Sequence, residues 1–254
     1  MLLVLVVNSI ALYASTDSLL WIKKDFTSYN LCYTATDASI INRIEKNLTA
    51  GTKHVASFFK KGFDKKISIY LFPNRKALTE QWRKDWNQPD FNAECWMVAS
   101  GVALRLDILS PQRWKQETCE HNANDSTELQ QIITHELVHV FHGQQCPNPN
   151  FDGMDDYGWL AEGLADFASG QLTDAKLAQV REQILLGNTP TLLADFWKGK
   201  LRYQQSGSLI CFIDKKYGRE KLMSLLSLTK LTDMMKVLNT TETELITDWK
   251  NFYK

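Results

Sequence analysis

Residues 126–168 read STELQQIITHELVHVFHGQQCPNPNFDGMDDYGWLAEGLADFA. Ile132, Ile133, Leu137 and Phe141 recur at helical spacing and supply the apolar sides of a buried helix. Ser126-Thr127-Glu128 suits its N-terminus and Gly143 its stop, so the stretch predicts a helix to His142. Pro147 and Pro149, interleaved with Asn148 and Asn150, mark a loop. Asp156 then opens a second helix, Tyr157 to Ala168. Two helices joined by one loop make this part of the chain helical.

Beyond this stretch the helical signals continue. Ser206 to Lys216 is a helix stopped at Tyr217-Gly218, and Glu220 to Leu228 and Thr241 to Tyr253 follow. The preceding residues read differently. Phe26 to Tyr33 and Lys66 to Phe72 are strands, and residues 38–60 carry Ile40, Ile44, Leu48, Val55 and Phe59 near a 3.6 period, a helix weakened at Gly51. Leu78 to Trp86 is a short helix. Cys95–Ala99 and Val102–Leu109 form a hairpin around Ser100-Gly101. The expected class is α+β: an antiparallel sheet with one long helix first, a helical half second, and a site in the cleft between them. Residues 17–254 form one domain in this reading, 17–124 mixed and 125–254 helical.

The 254 residues are 44% apolar and 23% charged, enough for a buried core and unlike a disordered or collagen-like chain. The 29 basic and 29 acidic residues cancel, so no overall basic field gathers nucleic acid. The apolar run Leu2–Ala14 is too short to cross a membrane, which takes about 20 residues. It has the length of a signal-peptide core, followed by the small residues Ala14-Ser15-Thr16. Residues 1–16 are therefore read as a leader, with an exported protein, periplasmic or secreted, and no stable membrane insertion.

His135-Glu136-Leu137-Val138-His139 carries the chemistry. Residues four apart stack on one helix face, so both imidazoles can point at one zinc ion. Glu136 can then reach a water on the metal. Zinc lowers that water's pKa to about 7, and the carboxylate accepts its proton. A catalytic zinc takes a third protein ligand. Glu162 is the candidate, 22 residues (Val140 to Ala161) past His139 and on the next helix. Asp166 lies one turn further on the same face, placed to accept the second N–H of a ligand histidine. Gly163 and Ala165 are small enough for close helix contact. A metzincin site needs a glycine at position 142 and a histidine at 145, where this chain has His142 and Gln145.

HELVH followed by WLAEGLAD resembles the gluzincin metallopeptidases, the thermolysin and aminopeptidase-like group. Tyr203-Gln204-Gln205-Ser206-Gly207-Ser208 and Tyr217-Gly218-Arg219-Glu220-Lys221-Leu222 are similar to the small peptidase MA-like members. The resemblance implies a thermolysin-like catalytic domain with one zinc held by His135, His139 and Glu162, Glu136 as base, and a peptide or protein substrate. It also implies an oxyanion donor beyond the third ligand. All five histidines precede Glu162, so a tyrosine is the candidate, Tyr203 first and Tyr157 second. No Gly-x-Met-Glu-Asn segment precedes the motif, which points to an endopeptidase rather than an aminopeptidase. The rival readings are a zinc hydrolase of another bond and a silent zinc-containing binding module.

Cys119 and Cys146 flank the motif helix. The expected reading joins them in a disulfide. Two free thiols, or a metal site with His121, are the alternatives. The exposed edge of the hairpin, Cys95–Ala99 or Val102–Leu109, is the expected peptide-binding strand. Trp82, Trp86, Trp96 and Trp114 are read as core or cleft lining.

Overall fold

The computed structural model describes residues 19–254; the expected leader lies outside them. The class is α+β, with a five-stranded sheet followed by a helical half. The strands are β1 (Ile22–Asp25), β2 (Tyr29–Tyr33), β3 (Ile67–Phe72), β4 (Ala99–Val102) and β5 (Arg105–Leu109), in the order β1-β2-β3-β5-β4.

The sheet is mixed, which corrects the antiparallel expectation. β2, β3 and β5 run parallel, and only the edges β1 and β4 are antiparallel to their neighbours. The cause is α1 (Ile41–Phe59), whose length returns the chain to the end of the sheet where β2 began. Ile44, Leu48, Val55 and Phe59 of α1 are buried at the expected spacing. Inward residues of the central strands, among them Leu31, Ile69 and Ile108, are fully buried. Each such side chain contributes about 1.5–3 kcal/mol.

The hairpin turn lies at Ala103-Leu104, because Ser100 pairs with Asp107 and Gly101 with Leu106 inside the ladder. β5 is bonded on both sides, so β4 alone is the free edge at this end. The strand begins at Ala99; Cys95 to Val98 precede it. Between β3 and β4 lies α2 (Arg75–Asp85), capped by Asn74, and α3 (Pro111–Glu117) follows β5.

The motif helix, α4, spans Ser126–Gln145. Asp125 caps it by accepting from the Thr127 and Glu128 amides at 2.8 and 3.2 Å. It runs through Gly143 because its last turn is held from outside: Gln144 Nε2 donates to the carbonyls of Ala103 and Lys65 at 2.8 and 3.0 Å. Phe141 stacks on Phe59 of α1, their rings 4.2 Å apart.

The helical half continues with α5 (Gly158–Ala168), α6 (Asp174–Leu186), α7 (Arg202–Tyr217), α8 (Arg219–Leu225), α9 (Leu231–Leu238) and α10 (Glu242–Tyr253). α5 lies directly on α7. A Cβ on Gly163 would sit 2.5 Å from the Ser206 carbonyl oxygen, so only glycine allows this backbone contact. That contact brings the N-terminus of α7 to the side of α5 that carries Glu162. Among the described residues no helix is long and apolar enough to cross a membrane.

The disulfide joins Cys95 to Cys119, with Cα atoms 5.4 Å apart, and not Cys119 to Cys146. Cys146 lies at the end of α4, about 30 Å from Ser126, whereas Cys119 lies seven residues before that helix, just past α3 and beside Cys95. Cys146 is a buried free thiol at the end of α4; Cys211 is free and half-buried on α7.

Candidate metal centre

α4 presents His135 and His139 one turn apart, and α5 brings Glu162 against them. The two Nε2 atoms are 3.1 Å apart, and Glu162 Oε2 lies 3.5 Å from that of His135 and 3.4 Å from that of His139. All three side chains are nearly buried. A tetrahedral ion with bonds of about 2.0–2.1 Å holds its ligand atoms roughly 3.3 Å apart, so this triangle has the dimensions of three zinc ligands. Two imidazoles and one carboxylate are also a zinc donor set. These residues can hold a metal ion.

His135 Nδ1 lies 2.7 Å from Gln171 Oε1. The amide oxygen accepts the Nδ1 proton, so it is Nε2 that faces Glu162 and His139. Burial by itself lowers the His135 pKa, but the Glu162 hydrogen bond and the charges of Glu136 and Asp166 raise it to about 9. Burial raises Glu162, yet the charges of His139 and His135 and their hydrogen bonds hold its carboxyl far below the usual range. Three groups that together trap a proton in this way are matched to a cation.

Glu136 lines the same cleft. Burial raises its pKa against the opposing pull of the two imidazoles, and the Gly101 amide hydrogen-bonds its carboxylate. β4 reaches α4 at this point: a Cβ on Gly101 would meet the Glu136 carbonyl oxygen at 2.3 Å. The free edge strand therefore runs beside Glu136.

Tyr203, the second residue of α7, lines the cleft with its ring 6.2 Å from that of His135. Burial and the charge of Glu162 raise its pKa well above the usual phenol value, so the hydroxyl keeps its proton. Tyr157 is buried elsewhere; its hydroxyl accepts from Asn148 Nδ2 at 2.8 Å.

Asp166 is fully buried, but its partner is Lys176 on α6, at 2.6 Å. The histidine N–H expected to reach it is taken by Gln171 in the case of His135. Asp166 acts on the site through its backbone as well, since its carbonyl accepts from the Gln171 and Leu172 amides at 3.1 Å and holds the turn that carries Gln171. His142 is fully buried against Phe151, and burial with the His139 charge lowers it to about 3. It is neutral and does not act as a cation at the helix end.

The cleft is about 710 Å3 and is walled by β4, α4 and the start of α7. Trp82, Trp86 and Trp96 line it, whereas Trp114 is wholly in the core. Gln171, Lys176 and Arg202 also line it. No pattern in the sequence marked these three, because each lies in a turn or opens a helix. Comparison with protein-family models finds no match, and neither does comparison with curated proteins.

Proposed function

We propose that the protein is a zinc-dependent metallopeptidase of gluzincin type, with a thermolysin-like arrangement of site and cleft. The observation that carries this reading is the His135–His139–Glu162 triangle with Glu136 and the free edge of β4 beside it. His135, His139 and Glu162 would hold the metal. When bound, zinc polarises a carbonyl and acidifies water.

The remaining chemistry belongs to side chains of this chain. Glu136 takes a proton from the attacking water on its carboxylate and passes it to the leaving nitrogen. Its burial supports both steps, because a raised pKa suits a group that accepts a proton and returns it. The Tyr203 hydroxyl, kept protonated, donates to the oxyanion as charge develops there. β4 offers backbone N–H and C=O groups to an extended peptide, which orients the scissile bond. Gln171 holds His135 in one tautomer throughout. Export fits the Cys95–Cys119 disulfide, since such bonds persist in oxidising compartments.

The test is digestion of a peptide library by zinc-loaded protein, with and without a chelator, read by mass spectrometry. Cleavage that the chelator abolishes and added zinc restores is the expected result. A protein that holds zinc yet cleaves no peptide would overturn the peptidase reading and favour hydrolysis of another bond.

A further inference from the structure

The cationic side chains lining the cleft are matched to acids or committed to the metal triangle, with one exception. Lys176 pairs with Asp166 at 2.6 Å, His121 with Glu128 at 2.7 Å, and His135 and His139 face Glu162. Arg202, the first residue of α7, holds no carboxylate among the described residues. Elsewhere Arg105 reaches Asp107 at 2.8 Å and Arg219 reaches Asp214 at 2.6 Å, while Arg43, Arg75 and Arg83 spend their donors on backbone carbonyls.

Arg202 is half-buried, and its Nε is buried without a hydrogen bond. Aromatic rings from separate segments fix its position: Trp96 at 5.0 Å, Trp197 at 5.1 Å and Tyr203 at 5.2 Å from the guanidinium carbon. The faces of these rings stabilise the charge, but they accept few of its five N–H groups. The Tyr203 hydroxyl takes one hydrogen bond. A partly desolvated guanidinium with unused donors is costly unless an anion completes it. Its planar fork matches a carboxylate. Trp96 stands on the wall that continues into β4, and the Tyr203 ring lies within reach of both, 5.2 Å from the Arg202 guanidinium carbon and 6.2 Å from the His135 ring. The exposed acids Glu120 and Asp152 also line the cleft and repel an anion placed near them, which confines the attraction to Arg202.

We infer that Arg202 is a specificity-determining residue that receives a carboxylate of the substrate, either an acidic side chain or the terminal carboxylate of a peptide. The inference rests on the peptidase reading for the statement that the ligand is a peptide.

The test is binding rather than turnover. Zinc-loaded Glu136→Gln protein is titrated with pools of short peptides that carry acidic side chains and an amidated end, a free end and no acidic side chains, or neither. The pool without any carboxylate is expected to bind about 10- to 100-fold more weakly than at least one of the others. The pool that keeps its affinity identifies the source. Arg202→Gln in the same background is expected to remove the difference with zinc content and circular dichroism unchanged, and Arg202→Lys to restore part of it. Equal binding of all pools, or discrimination that survives Arg202→Gln, overturns the inference. Should discrimination be found while the wild-type protein digests no peptide, the carboxylate site stands and the peptidase reading fails.

Discussion

Gln171 Oε1 and His135 Nδ1 lie 2.7 Å apart, and this pair decides which way the first imidazole of the motif faces. A neutral amide oxygen accepts the Nδ1 proton without adding charge. The charges around the triangle therefore come from Glu162, Glu136 and Asp166. The pair also ties the site to the turn after α5, because the Gln171 amide donates to the Asp166 carbonyl. The Glu162 carboxylate, the turn and the histidine's partner thus come from one continuous segment, residues 162–171.

Gln171→Ala is expected to weaken zinc binding by about 10- to 100-fold, as for other groups that orient a ligand histidine. Gln171→Glu, which keeps the acceptor, is expected to bind zinc at least as well as the Ala variant. Competition against a chromophoric chelator measures both. Zinc affinity in Gln171→Ala equal to that of the wild type would show that His135 needs no such partner.

The two glutamates separate under substitution. Glu136→Gln is expected to retain zinc and to lose hydrolysis by about 10²–10⁴-fold, because its amide keeps the shape and removes only the proton acceptor. Glu162→Ala leaves two imidazoles, too few for a catalytic site, and is expected to lose zinc. Metal content beside turnover of a quenched peptide mixture checks both. Hydrolysis by Glu136→Gln at the wild-type rate is the outcome that rules out its role.

Much of the site was legible because its signals are local. The i, i+4 histidines need only a helix, and Ile132, Ile133, Leu137 and Phe141 supply one. Glu162 needed only a second helix after the Pro147–Asn150 loop. What escaped depends on contacts between distant segments. Gln171 follows a glycine of positive φ, Gly170, where no periodicity operates. α6 buries only Val180 and Ile184, too few to print a helical stripe. β1 is short and mostly exposed, with no alternation to read. A strand, a long helix and a strand read as a parallel pair. The Cys95–Cys119 pairing was not legible, because it joins segments on either side of β4, β5 and α3.

Asp107 on β5 gives the fold a pH dependence. Burial pushes its pKa up to about 7 against the pull of Arg105. The unfolded value is about 3.9. The folded state therefore holds the proton more tightly, and the stability this contributes is complete below pH about 4 and lost as pH rises through about 7. Asp107→Asn mimics the protonated form. Relative to wild type it is expected to gain on the order of 2–4 kcal/mol between pH 4 and pH 8. Urea unfolding at the two pH values measures this; an unchanged difference would show that Asp107 titrates normally.

The Cys95–Cys119 bridge acts on the cleft wall rather than on the metal. It joins the segment carrying Trp96 and Met97 to the one carrying Glu120 and His121, all four lining the cleft. The wall has further supports: His121 Nε2 lies 2.8 Å from the Trp96 carbonyl, and Arg75 Nη1 donates to the carbonyls of Glu94 and Met97 at 2.8 Å. The triangle is built from α4 and α5, which the bridge does not touch. Cys95→Ser with Cys119→Ser is therefore expected to cost roughly 2–4 kcal/mol of stability. It is also expected to raise KM more than it lowers kcat, because Trp96 is no longer fixed in the cleft wall, and to leave zinc content at the wild-type level. Denaturant unfolding, steady-state kinetics and elemental analysis of the double variant give the three readings. Loss of zinc with the bridge would mean that the two cysteines support the metal centre itself, contrary to the placement of α4 and α5.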